Sequence, residues 1–408
     1  MSFKNRLLNR LSRPLALVGL ALGLAACEPV SFGGNTTDVD PNQAVVVALM
    51  VPLASGNAVT EQLAQNMVNA ARMAARDISG ANIDLRVYET GGNAELATAA
   101  ATRAVADGAQ IMVGPLYSTS TAAIAPIAAQ AGINILSLIA AQAGINILSF
   151  SNTTSVAGGN VFIMGTTFDT VANRLVRHSI STGYGNIAIV YQEGVSGESG
   201  KSSIEQAIAR NGGNLTTAVS YPLALTEMGE AAQGMADTLR ASNSNAVFFT
   251  DSPLRGLGFI TASLASNRFR TKRDAQFLGL TRWDSSNEVL VTPSLQGGWF
   301  AVPDPALTLQ FETRYQLAYG IEAHQLSGLA YDGIAAVGAM ISSARAAGET
   351  SAFSAQRLTD PAGFAGVTGI FRFRADGTNE RGLAIMQIED GVANMISAAP
   401  RSFGVGGS

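Results

Sequence analysis

The chain has 408 residues, 47% of them hydrophobic, with 30 acids against 26 Lys and Arg and a formal charge of −4. That balance argues against nucleic acid as a partner, which would call for a basic surface, and a single cysteine excludes a disulfide within the chain. So much apolar sequence at this length suits two lobes better than one core. In chain order, Lys4, Arg6, Arg10 and Arg13 make a positive start, and residues 14–26 form an apolar run ending in small side chains. The run is short for a bilayer span and has the flanks of a cleaved signal. Its removal takes away four basic residues and no acid, leaving a charge of −8. Residues 28–43, rich in Gly, Pro, Asn and Asp, read as a tether.

From residue 44 short β-branched runs alternate with longer amphipathic stretches. AVVVALMV (44–51) reads as a buried strand, and residues 60–78 carry Leu63, Met67, Ala70 and Ala74 at helical spacing. Strands at 83–89, 110–114, 162–165, 186–191, 215–221, 246–250, 276–280 and 298–302 alternate with helices over 94–108, from 169, and over 201–211, 227–241 and 253–265. A helical stretch covers roughly 307–347, and GIFRF (369–373) with AIMQIED (384–390) reads as a closing hairpin. This alternation predicts an α/β fold of parallel sheets covered on both faces, as two doubly wound Rossmann-like lobes with a cleft between them. A closed eight-strand barrel is the alternative. The expected boundaries put 44–165 and 298–347 in the first lobe, 166–297 and 348–396 in the second, and a flexible tail over 397–408.

IAAQAGINILSL (127–138) is followed by IAAQAGINILSF (139–150), a tandem copy with one difference. It reads as a single in-frame duplication, or an artefact of sequencing or cloning, and not as a repeat architecture. One sheet position has room for one GINILS strand. The second copy, 145–149, is expected to hold it, with the first lengthening helix and loop.

Motifs for catalysis fail on inspection. Gly194 to Ser202 approaches a phosphate loop, but Val195 stands where glycine is required, and Glu198 spoils a nucleophile elbow. Ser196, Ser199 and Lys201 there read as capping and opening a helix. His178, beside Arg174 and Arg177, reads as part of a solvated face, and His324 as a surface residue; neither has metal-ligand spacing. No cofactor is implied, and binding is favoured over catalysis. The hydroxyl-rich turns Pro52–Gly56, Leu116–Thr121, Ser149–Thr154 and Tyr191–Ser196 fall at the carboxyl ends of expected strands, where parallel sheets collect ligands.

Two resemblances build on these residues. Leu24-Ala25-Ala26-Cys27 resembles the lipobox of bacterial lipoproteins, which implies a signal peptide over 1–26 and an acylated Cys27. An ordinary secretory signal or an uncleaved anchor is the alternative. Glu28 stands where an aspartate would resemble an inner-membrane retention signal, so the periplasmic face of the outer membrane is the implied destination. VALMVPLASG (47–56), MVGPLYSTST (112–121), ILSFSNTTS (147–155), AVFFTDSP (246–253), FLGLTRWD (277–284), LAYDGIAA (329–336) and GVTGIFRFRADGT (366–378) resemble the type I periplasmic-binding family, in its leucine/isoleucine/valine-binding branch. The resemblance implies two lobes closing on a small amino-acid-like ligand. Ser118, Ser151 and Thr153 would grip its carboxylate and ammonium, with Tyr191, Gln192, Ser196, Asp251 and Arg282 facing them. Arg282 departs from the acidic residue usual there in amino-acid receptors. MVPLASG, VGPLYS and LGLTRWD also resemble the lipoprotein activators of penicillin-binding proteins, which are not enzymes. The expected function is therefore an activator contacting a peptidoglycan synthase, with a receptor delivering to an ABC permease as the alternative.

Overall fold

The computed structural model describes residues 43–131, 144–222, 224–253 and 255–403. The expectations for the signal, Cys27, most of the tether and residues 132–138 of the first repeat copy fall outside them. Among the described residues, no helix is long and apolar enough to cross a membrane.

The first lobe begins with β1 (Val45–Val51), α1 (Ala58–Asp77), β2 (Ile83–Glu89), α2 (Ala94–Ala106), β3 (Ile111–Val113), α3 (Ser118–Gln130), β4 (Asn146–Ser149) and β5 (Val161–Ile163). Its strands form one parallel sheet in the order β2-β1-β3-β4-β5. The apolar runs legible in sequence become strands with buried side chains, and local chemistry sets the helix starts. Asn57 accepts from the N–H groups of Val59 and Thr60 to open α1, and Asn93 caps α2 in the same way. The strand at this place in the sheet is supplied by the second repeat copy, whose Asn146, Ile147 and Leu148 pair with Ile111, Met112 and Val113.

The chain then crosses into the second lobe: α4 (Phe168–Ser181), β6 (Asn186–Gln192), α5 (Val195–Asn211), β7 (Asn214–Tyr221), α6 (Leu225–Ala241), β8 (Ala246–Phe249), α7 (Leu257–Ser266), β9 (Gln276–Gly279), the short α8 (Asn287–Leu290) and β10 (Trp299–Val302). It returns through α9 (Pro305–Tyr319), α10 (Ser327–Ala347), the short α11 (Ala355–Leu358), β11 (Phe364–Gly366), β12 (Gly369–Phe373) and β13 (Asn379–Arg381). It ends with β14 (Ala384–Glu389) and β15 (Val392–Ser397). The second sheet runs β15-β14-β10-β9-β8-β6-β7, with β14 alone antiparallel to its two neighbours β10 and β15.

Four expectations are corrected. The stretch 307–347 is two helices, because Gly320 takes a left-handed conformation (φ 71°) that closes α9 and that L side chains adopt at a cost. GIFRF does not pair with AIMQIED: β12 lies between β11 and β13 in a separate antiparallel sheet, while β14 pairs with β10 and β15. The lobe boundaries move with them. Residues 299–302 were expected in the first lobe, but β10 is hydrogen-bonded between β9 and β14 of the second sheet. Residues 348–396 were expected in the second lobe, yet Phe353, Phe364, Phe371 and Phe373 are buried in the first lobe's core beside α1 and α10. The tail, finally, is held at least to Phe403, since Ser397 ends β15 and the Arg372 guanidinium sits 4.5 Å from the Phe403 ring centre.

Candidate functional site

A cleft of about 500 Å³ lies between the lobes, within the usual range for small-molecule sites. The first lobe supplies Leu63, Leu116, Tyr117, Phe150, Ser151 and Asn152; the second supplies Phe168, Val171, Leu280, Thr281, Arg282 and Leu383. Pro303, Thr368 and Arg381 line it where the chain crosses between lobes, and Leu326 and Leu329 contribute from the start of α10. The first lobe's contribution comes from the turns after β3 and β4, at the carboxyl end of a sheet whose strand order reverses at β1 and β3. Such a switch point leaves an open crevice.

Polar groups in this wall are few and fixed. Ser149, below the rim, shares a 2.8 Å hydrogen bond with Thr121 and accepts from the Ser151 N–H, shaping the turn. Ser151 accepts from the Thr153 N–H at 3.0 Å, which leaves its own O–H to donate. Arg282 makes a two-pronged pair with Asp284, Nε to Oδ1 at 2.9 Å and Nη2 to Oδ2 at 2.7 Å, with Nη1 unspent. Burial pulls this guanidinium's pKa down, but the bond and charge of Asp284, with the charge of Glu312, raise it overall. Across the cleft Arg381 is 5% exposed. Its Nε donates to the Met164 carbonyl at 2.8 Å and its Nη1 to Thr368 Oγ1 at 2.7 Å, facing Asp332 Oδ2 at 3.3 Å. Its Nη2 is buried with no partner among the described residues.

Asp332 anchors this junction from α10. It accepts from the Val367 N–H at 2.7 Å and from the Thr368 hydroxyl. Burial pushes its carboxyl up, against the pull of Arg381 and Thr368. Gly366 is required here, because a Cβ would stand 2.1 Å from Asp332 Oδ1.

Of the residues expected at the site, the structure brings Ser151 and Arg282 to the cleft and places six elsewhere. Ser118 is the first residue of α3, half-buried behind Tyr117, and Thr153 is exposed beyond the turn. Tyr191 packs beneath the Lys201 ammonium, 5.3 Å from the ring centre. Gln192 is buried at the end of β6, and Ser196 is exposed in the first turn of α5. That helix starts at Gly194 with no side-chain cap, so Ser196, Ser199 and Lys201 do not cap it. Asp251 is structural. Its Oδ2 accepts from Tyr221 Oη at 2.8 Å and from the Gly256 N–H at 2.9 Å, tying β7 to the start of α7. Burial and then the Asp251 charge raise the Tyr221 phenol well above its ordinary pKa. Asp251→Ala would leave both donors unsatisfied, at a cost of about 2–3 kcal/mol. Denaturant unfolding is expected to register that loss while cleft-ligand affinity stays unchanged.

The histidines are also more embedded than their sequence setting suggests. The His178 ring lies 5.1 Å from Trp299, and burial and then Arg174 lower its pKa. His324 is half-buried, its N–H donating to Asn66 Oδ1 and its Nδ1 accepting from the Leu326 N–H. Among the described residues no group of His, Cys, Asp and Glu could hold a metal ion. Sequence reasoning missed Arg381, Thr368, Asn152 and Thr166. Arg381 carries no local signal, since its partner Asp332 lies 49 residues earlier on a helix.

Comparison with known proteins agrees with this geometry. No curated protein matches the chain. Among solved structures, a protein from Rhodospirillum rubrum described as a branched-chain amino acid ABC transporter superposes with a TM-score of 0.70 at 16% identity, covering 87% of this chain and 100% of that one. An ABC transporter substrate-binding protein from Desulfitobacterium hafniense in complex with Leu gives 0.61 at 18% identity, over 87% and 100%. A solute binding protein from R. palustris in complex with benzoate gives 0.55 at 16%, over 90% and 99%. These likenesses establish the two-lobed fold of type I periplasmic binding proteins. The profile of the periplasmic binding protein family matches residues 44–393, almost the whole described body, and the chain therefore belongs to that family.

Proposed function

We propose that the chain is a solute receptor that closes its lobes on a small apolar acid and delivers it to an ABC permease. The observation that carries this reading is the chemistry of the cleft wall. Among the described residues, twelve apolar or aromatic side chains surround two guanidiniums, each with a nitrogen unspent, and no carboxylate lines the cavity. An acid group has donors waiting in Arg282, Arg381 and Ser151. An ammonium group would be buried without a counter-charge, which is costly. The benzoate held by the R. palustris protein needs no ammonium partner, whereas the leucine in the D. hafniense protein carries one. Apolar carboxylates are thus the better fit, with leucine as the comparison ligand.

The test is a thermal-shift and calorimetric series with benzoate, 4-methyl-2-oxopentanoate and leucine. A carboxylate present at a hundred times its Kd stabilises the fold by about 2.7 kcal/mol. Arg282→Gln is expected to weaken that carboxylate about tenfold, the effect of one charged hydrogen bond. If no acid shifts the melting temperature, the receptor reading fails.

A second reading, an activator that contacts a peptidoglycan synthase, is favoured by a separate observation. Arg282 stands where amino-acid receptors of this branch carry an acid, and the outer face of α9 exposes Leu309 (64%) and Leu317 (83%). Co-purification of a penicillin-binding protein, lost on Leu317→Asp, together with silence in the ligand series, is the result that would replace the first reading with this one. Acylation at Cys27 is compatible with both, whereas an outer-membrane position favours the activator, because a receptor serving a permease in the other membrane gains little there. Metabolic labelling with a fatty acid, followed by separation of the two membranes, tests them directly.

A further inference from the structure

A second cavity, of about 320 Å³, lies between α4, the end of α5, β12, β13 and the closing residues Pro400–Phe403, and among the described residues it shares only Arg381 with the cleft. Its lining is strongly cationic. Arg174, Arg177, Arg210, Arg372, Arg374 and Arg381 face it, against only Asp169 and Glu380 among the described residues. Glu380 is shared between Arg372 at 2.7 Å and Arg374 at 3.4 Å, and Asp169 reaches Arg210 only at 3.7 Å. Arg174 and Arg177 meet no carboxylate among the described residues. Arg174 donates to the Leu383 carbonyl and Ser397 Oγ, and Arg177 makes only a long 3.5 Å contact with Asn211 Oδ1 among the described residues. Burial, then the charge of Arg177, depresses the pKa of Arg174, as expected of cations gathered without enough counter-charge. The excess runs against the sign of the whole chain, whose formal charge is −4, so it is not a by-product of composition.

We propose that this cavity is a binding site for a phosphate-bearing polyanion. Planar guanidiniums converging from several elements suit phosphate oxygens, which accept two bonds from one fork. The elements belong to different cores: α4 packs in the second lobe, while β12 packs in the first through Phe371 and Phe373. A bound polyanion would therefore staple the lobes together beside the cleft, on the other side of Arg381 from most of the cleft wall's residues. The source of the phosphate is either a soluble molecule or a lipid headgroup.

The test is calorimetric titration of the full chain with inorganic pyrophosphate, alone and after incubation with phosphatidylglycerol-containing vesicles. Binding is expected at low ionic strength and is expected to weaken as salt rises. The double variant Arg177→Gln and Arg210→Gln, both exposed positions, should weaken it at least tenfold with an unchanged circular dichroism spectrum and an unchanged response to cleft ligands. Pyrophosphate heat abolished by the vesicles assigns the site to a headgroup, and heat that persists assigns it to a soluble phosphate. Absence of pyrophosphate binding, or binding that the double variant leaves intact, overturns the proposal.

Discussion

Asp332→Ala is expected to cost about 3–5 kcal/mol, the usual consequence of removing one partner from a buried ion pair. Asp332 is fully buried, and its two oxygens gather the Val367 N–H, the Thr368 hydroxyl and the Arg381 guanidinium. Alanine strands all three, including a guanidinium that is itself 5% exposed. The pair alone is weak evidence of net stabilisation, because desolvating both charges is expensive. Its loss is a different matter, since Arg381 has no second carboxylate to turn to among the described residues. Asp332→Asn separates charge from shape: it keeps an acceptor for the Val367 N–H and removes the counter-charge. The asparagine variant should fall between wild type and alanine in urea unfolding. A wild-type midpoint for asparagine would mean that the charge does not matter here. Cleft binding should fall with either variant, because Arg381 is also part of the cleft wall.

Trp283→Ala should be of similar size, about 3–5 kcal/mol, from a large cavity that a well-packed core closes only in part. The indole is fully buried and stacks on Phe300 with ring centres 6.2 Å apart. It fits because two neighbours lack side chains. A Cβ on Gly279 would stand 2.3 Å from the indole, and one on Gly298 2.2 Å. Gly279→Ala and Gly298→Ala are therefore expected to destabilise as well, by overpacking rather than by a void. Trp283 follows directly on Arg282, so its loss also frees the segment that aims a cleft guanidinium. The measurement is the urea midpoint together with the affinity for a cleft carboxylate. A variant of Trp283 with unaltered stability would remove the indole from its assigned place in the core.

These two residues mark where sequence reading succeeds and where it stops. AVVVALMV and QIMVG were legible as strands because buried parallel strands are continuous apolar runs. The repeat was resolvable for a different reason, since both copies carry the same apolar run: the copy nearer the next turn became β4. Ser151 and Arg282 sit on turns directly after strands, and the family resemblance singled them out there. Thr153, Ser196 and Asp251 shared that position, but a strand end fixes where a turn is and not which side chain it turns inward. Asp251 faces Tyr221 and α7, a choice made by packing. Arg381 was invisible because both of its decisive partners, Asp332 and Thr368, come from elements whose association the sequence does not announce. The same blindness produced the false hairpin, since GIFRF is an equally good strand for either neighbouring sheet.

The interleaving of the two lobes also sets a timetable for synthesis. The sheet β2-β1-β3-β4-β5 is finished by residue 163, but α10, which buries one of its faces, is not made until residue 347. Between those points the ribosome must produce nearly all of the second lobe. A nascent chain therefore holds the apolar face of Val47, Leu49, Val113 and Leu148, which α1 covers in part, without α10 for nearly half of its synthesis. Contacts this distant in sequence form late and slowly. The first lobe therefore cannot complete its core as it emerges, and its closure waits on the return of the chain through α10.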